Sequence, residues 1–92
     1  MIKITKKGNK AWVTFSKMPS ADEKVVLCGS WNDWNEESMK VKKSGELYLT
    51  KVLPTGQNYE FGYKINDHGW ECDDDVSCVD SPFGSKNSLI EL

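Results

Sequence analysis

The sequence predicts an all-β sandwich of about seven to eight short antiparallel strands, and three observations predict it. Short runs of alternating apolar and polar residues are broken again and again by Gly, Pro, Asn, Asp and Ser. No segment carries a helical period long enough to make a helix. The chain has 92 residues, enough for one domain around one core and too few for a deep, water-excluding chamber besides. We therefore expect a single domain over residues 1–92.

Each element follows in order. Lys3 to Thr5 opens a strand, and Gly8-Asn9 turns the chain. Ala11 to Ser16 is a strand with Val13 and Phe15 on one face. Pro19 and Ser20 mark a loop. Lys24 to Ser30 is a strong strand whose Val25 and Leu27 share a face. A polar loop runs from Asn32 to Ser38, then Met39 to Lys43 forms a weak strand ending at Ser44-Gly45. Glu46 to Leu53 is the next strand, closed by Pro54-Thr55-Gly56. Here Lys51 shares the parity of Leu47, Leu49 and Leu53, so either its stem snorkels to the rim or a bulge shifts the register. Asn58 to Ile65 alternates cleanly: Tyr59, Phe61, Tyr63 and Ile65 face one way, Glu60, Gly62 and Lys64 the other. Asn66 to Gly69 turns the chain, Trp70 to Cys72 is short, and Ser88 to Leu92 closes the fold.

Composition excludes several classes of function. A net charge of −2 gives no attraction to nucleic acid or to an acidic membrane. All twelve basic residues are Lys, so the planar fork that reads phosphates and guanine edges is missing. No apolar stretch approaches a membrane span, and Met1-Ile2-Lys3-Ile4-Thr5-Lys6-Lys7 has no apolar core fit for a signal peptide. Three cysteines are not a secreted disulfide framework. These features make a cytoplasmic location the expectation. Cys72 and Cys78 can pair only if they meet in space and escape reduction.

Four tryptophans in 92 residues are more than a core of this size needs. Trp31 has the parity of Val25 and Leu27 and belongs inside, whereas Trp12 has the opposite parity to Val13 and Phe15 and its role stays open. Trp34 lies in the polar loop Asn32-Asp33-Trp34-Asn35-Glu36-Glu37, and Trp70 precedes the acidic run Glu71, Asp73, Asp74, Asp75. Large flat rings in polar surroundings make a binding surface. The chemistry suits a sugar. An indole covers the apolar C–H face of a hexose, and hydroxyls left over need polar partners, for which Lys64, Ser85 and Asn87 are candidates.

Four motifs in order carry a family resemblance. They are Gly29-Ser30-Trp31-Asn32-Asp33-Trp34-Asn35; Leu53-Pro54-Thr55-Gly56; Tyr59-Glu60-Phe61-Gly62-Tyr63-Lys64-Ile65 followed by Trp70; and Pro82-Phe83-Gly84-Ser85-Lys86-Asn87-Ser88-Leu89-Ile90. From Lys24 to Leu92 the chain resembles the early-set domains of carbohydrate-binding module family 48, found at the N-terminus of isoamylases and branching enzymes and as the glycogen-binding domain of the AMP-activated protein kinase β subunit. The resemblance implies an immunoglobulin-like sandwich with an α-glucan site on one face. It further implies that Trp34 and Trp70 flank the sugar, with Phe83, Ser85 and Asn87 at the family's Leu, Thr and Asn positions. The family's Lys position falls on Gly62, with Lys64 two residues along on the same face as its substitute. The implied partners are an α-glucan such as glycogen, starch or a maltooligosaccharide, and a separate glucan-active enzyme or regulatory protein. Members can also lose sugar binding and serve as docking modules, which is the alternative reading.

Other constellations are weaker. Glu71, Asp73, Asp74, Asp75 and Asp80 lack the spacing and glycine of a calcium loop. His68, Cys72 and Cys78 make three unevenly spaced candidates where structural zinc wants four. His68 reads as an exposed turn residue and Cys28 as packing. A glycosidase needs two carboxylates across the scissile bond, and no pair here can be argued to flank a pocket. The expectation is a binding module that is not an enzyme, with no cofactor and no metal.

Overall fold

A computed structural model describes every residue except Ala21, Asp67, His68, Pro82 and Phe83. The described residues form two antiparallel sheets packed face to face. The strands are β1 (Ile2–Lys7), β2 (Lys10–Lys17), β3 (Val25–Gly29), β4 (Glu37–Ser38), β5 (Lys40–Val41), β6 (Leu47–Pro54), β7 (Asn58–Ile65), β8 (Gly69–Glu71), β9 (Ser77–Asp80) and β10 (Lys86–Glu91). A 3-10 turn, Ser30–Asn32, follows β3. One sheet has the order β1-β2-β6-β5. The other runs β4-β3-β7-β10-β9, with β8 also pairing β7. The upstream half of β7 pairs with β10 and its downstream half with β8, so these two short strands share one edge of it.

The core lies where the alternation puts it. Val13 and Phe15 of β2, Leu27 of β3, Phe61 and Tyr63 of β7 and Ile90 of β10 are essentially without exposure. Phe61 meets Phe15 edge-on at 4.8 Å and Tyr63 at 5.9 Å, the arrangement that the charge distribution of aromatic rings favours. Trp31 is half-buried on the inner side, with its ring 5.2 Å from Phe15. Its indole lies so close to Gly29 that a Cβ there would come within 2.3 Å of the ring, so only glycine lets the ring fold back at this point. Trp12 faces out from the four-stranded sheet and is 40% exposed.

The parity of Lys51 is resolved by snorkelling. The β2–β6 ladder runs unbroken from Lys10↔Pro54 to Lys17↔Leu47, so there is no bulge. Lys51 stays on the inner parity and carries its ammonium to Glu37 Oε1 at 2.7 Å. Glu37 also accepts from Trp31 Nε1 at 2.8 Å and from Asn32 Nδ2 at 3.0 Å. One carboxylate thus ties the two sheets together at the rim. Burial pushes its pKa up, but Lys51 and the Trp31 N–H outweigh that and hold it below the ordinary value.

At the opposite end Asp73, 3% exposed, accepts from the N-terminal ammonium at 2.8 Å and from the Tyr63 hydroxyl at 2.7 Å. The net effect lowers its pKa: burial raises it, and the ammonium, the Tyr63 hydroxyl and the Asp75 N–H together win. Tyr63 is pushed far up in turn, by burial first and then by Asp73.

The strand positions differ from the sequence reading chiefly in three places. Ser77–Asp80 pairs with β10 although it carries no alternation of its own. The weak strand at Met39 is two short bridges, Glu37–Ser38 and Lys40–Val41, which belong to different sheets. The closing strand begins at Lys86 rather than Ser88. Cys28, Cys72 and Cys78 are free thiols. Burial and the adjoining Cys78 push Cys72 up to about 11. No helix among the described residues is long and apolar enough to cross a membrane.

Candidate functional site

Antiparallel partners lie on the same side of a sheet, so the register decides what shares the outer face of β7. Glu60, Gly62 and Lys64 point outward there, away from the buried Tyr59, Phe61 and Tyr63. Trp70 lies opposite Lys64, and Cys28 of β3 lies opposite Gly62. Leu89 lies opposite Glu60, which brings Asn87, two residues before it, onto the same face.

Trp70 does not project into solvent; it lies down on the sheet. A Cβ on Gly62 would come within 2.2 Å and 2.4 Å of two of its ring carbons, so the indole rests on bare backbone. Its Nε1–H donates to the Lys86 carbonyl at 2.8 Å, which fixes the ring's direction. Trp70 is half-buried. This geometry also explains the departure at Gly62: any longer side chain there would displace the ring.

Trp34 reaches the same place by a strained route. Asp33 and Trp34 both have left-handed backbone, with φ of 58° and 65°. For a bulky residue such as Trp that conformation costs on the order of 1 kcal/mol or more. The Trp34 N–H donates to the Gly29 carbonyl at 3.0 Å and holds the turn. The ring ends 38% exposed, with its centroid 6.1 Å from that of Trp70 and the two planes at 52°. The rings form an open V on the outer face of the sheet.

Beside the V lies a groove of about 580 Å³ lined, among the described residues, by Ser30, Trp34, Glu60, Trp70, Ser81, Ser85 and Asn87. Its walls are the two indoles, and its polar groups are three hydroxyls, one amide and one carboxylate. Asn87 is 7% exposed and donates from Nδ2 to Glu60 Oε1 at 3.2 Å. Ser30 Oγ accepts from the Glu60 N–H at 3.1 Å. Such a groove can take a flat molecule that has apolar faces and a hydroxyl rim.

Of the residues singled out from sequence, Trp34, Trp70, Ser85 and Asn87 meet in this groove. Lys64 shares the face, but its ammonium lies 2.6 Å from Glu36 Oε2 and it is not among the described lining residues. Phe83 and His68 lie outside the described residues. Glu60 was missed. Its signal was the parity it shares with Gly62 and Lys64, which places it on the Trp70 side of the strand. No three His, Cys, Asp or Glu side chains among the described residues come together as a metal ion would need.

A β-sandwich carrying two tryptophan rings over a polar groove has the form of a carbohydrate-binding module. The family described as the glycogen recognition site of AMP-activated protein kinase matches residues 12–92, and the chain belongs to that family. No curated protein matches the chain.

Proposed function

We propose that the protein is a non-catalytic module that binds α-1,4-linked glucan, such as glycogen, starch or maltooligosaccharide, on the outer face of β7. The observation that carries the reading is the pair Trp34 and Trp70, tilted at 52° with centroids 6.1 Å apart beside a groove of hydroxyl and amide groups. An α-1,4 chain curves, and two rings set at an angle match a curved ribbon better than a flat one. The indoles remove the C–H faces of the sugars from water at roughly 25 cal/mol per Å². Ser85 and Asn87 meet hydroxyls that must not be left unpaired. Lys64 stands at the edge of this arrangement, held by Glu36. Phe83 completes the set taken from the family pattern. A cytoplasmic glucan and a separate glucan-active enzyme or regulatory protein are the partners this reading brings with it.

The site is shallow and open, so affinity is modest, about −4 to −8 kcal/mol, or millimolar to micromolar dissociation. The test is a titration with maltoheptaose or β-cyclodextrin, followed by tryptophan fluorescence. A saturable change that Trp34→Ala and Trp70→Ala each abolish supports the reading. No response at millimolar sugar overturns it in favour of a docking module. Release of glucose or maltose by the pure protein overturns its non-catalytic part.

A further inference from the structure

Glu60 is the one charged residue among the described residues that line the groove. The rest of that lining is Ser30, Ser81, Ser85, Asn87 and two indoles, all uncharged. The lysine on the same strand face, Lys64, has its charge matched by Glu36 at 2.6 Å. Asn87 Nδ2 reaches Glu60 Oε1, so Oε2 is left to accept from a ligand. A carboxylate can only accept, so Asn87 turns its amide donor to Glu60. The groove therefore presents a negative charge and a carboxylate acceptor to whatever lies between the rings.

We infer that Glu60 makes the groove selective by charge, admitting uncharged glucan and turning away glucan that carries phosphate monoesters. The inference rests on the α-glucan reading of the same groove and adds the sign of charge that the ligand must not bear. A phosphate monoester brings a charge of about −1.5 to −2. At a separation of about 6–8 Å from the carboxylate, repulsion in a half-wet groove disfavours it about five- to thirtyfold at low ionic strength. Salt screens this, because the Debye length falls from about 10 Å at 0.1 M to about 3 Å at 1 M.

The probes are maltotriose and maltotriose carrying one 6-phosphate, a ligand short enough to keep its phosphate at or beside the groove. Wild-type protein at low salt is expected to favour the neutral sugar at least about fivefold, with the ratio shrinking toward one at 1 M salt. Glu60→Gln, nearly isosteric and able to keep a bond to Asn87, brings the ratio near one at low salt. Glu60→Lys reverses it. A wild-type ratio of one, or a ratio that neither variant moves, overturns the inference and leaves the α-glucan reading standing. Failure of the wild type to bind either sugar overturns the α-glucan reading, and this inference with it.

Discussion

Gly62→Ala is the sharpest test of how the site is built. The added Cβ would sit 2.2 Å from one carbon of the Trp70 ring and 2.4 Å from another. Ordinary carbon contacts are about 3.5–4.0 Å, so the indole has to lift by more than 1 Å, roughly the difference. Lifting it stretches the 2.8 Å bond from Nε1 to the Lys86 carbonyl past a useful length. The lost bond costs about 1 kcal/mol and the crowding about 1–3 kcal/mol. Alanine offsets about 0.5–1 kcal/mol of this, because glycine loses more chain entropy in a strand. The net destabilisation is about 1–3 kcal/mol, a fall in Tm of about 5–20 °C for a domain this size. Displacing one stacking face of about 80 Å² removes about 2 kcal/mol of binding, roughly thirtyfold in Kd. Thermal denaturation and maltoheptaose titration read the two effects separately. A Gly62→Ala protein that melts and binds like the wild type would refute the placement of the ring.

Three further outcomes follow from other parts of the molecule. Glu37→Ala strands Lys51, the Trp31 N–H and the Asn32 amide at once, and is expected to cost about 2–3 kcal/mol by urea denaturation; a loss under 0.5 kcal/mol would show that the carboxylate does not join the sheets. Asp73 and Glu37 both titrate below their ordinary range when folded, so the stability they supply is present above about pH 4–5 and is lost as pH falls through their folded pKa values. The urea midpoint should drop along that acid limb, and Asp73→Asn should flatten it; an unchanged limb would contradict the linkage. Trp12, exposed on the far sheet, is expected to be silent in binding, so Trp12→Ala should keep the Kd for maltoheptaose within about twofold while Trp34→Ala loses it. Equal losses in the two variants would place the sugar on both faces.

The sandwich was legible wherever one side of a strand is buried and the other wet. β7 is the clearest case, because Tyr59, Phe61, Tyr63 and Ile65 declare one face and Glu60, Gly62 and Lys64 the other. β9 was illegible for the same reason. Ser77 to Asp80 lies at a sheet edge with Ser77, Cys78 and Asp80 exposed, so no alternation marks it. Lys51 could be narrowed to two readings but not decided, since the choice depends on Glu37, which lies 14 residues away. In the site, Trp34 and Trp70 stood out because rings in polar loops are hard to bury. That Trp70 lies on Gly62 depends on β7–β8 pairing and on the Lys86 carbonyl from a third strand, none of which a linear pattern encodes. Lys64 drew attention by its type, whereas Glu60 is the residue that lines the groove.

The Lys86 carbonyl that takes the Trp70 N–H also accepts from the Cys72 thiol at 3.4 Å, so this strand's main chain engages the ring's only donor. On the α-glucan reading, the ring offers a ligand a slab without an address: it feels contour and cannot count residues. A long polymer then has many equivalent seats, and its apparent affinity per molecule rises in proportion to the number of units that can occupy the V. Such a surface is suited to holding the module on a large, repetitive particle while letting it shift from one seat to the next.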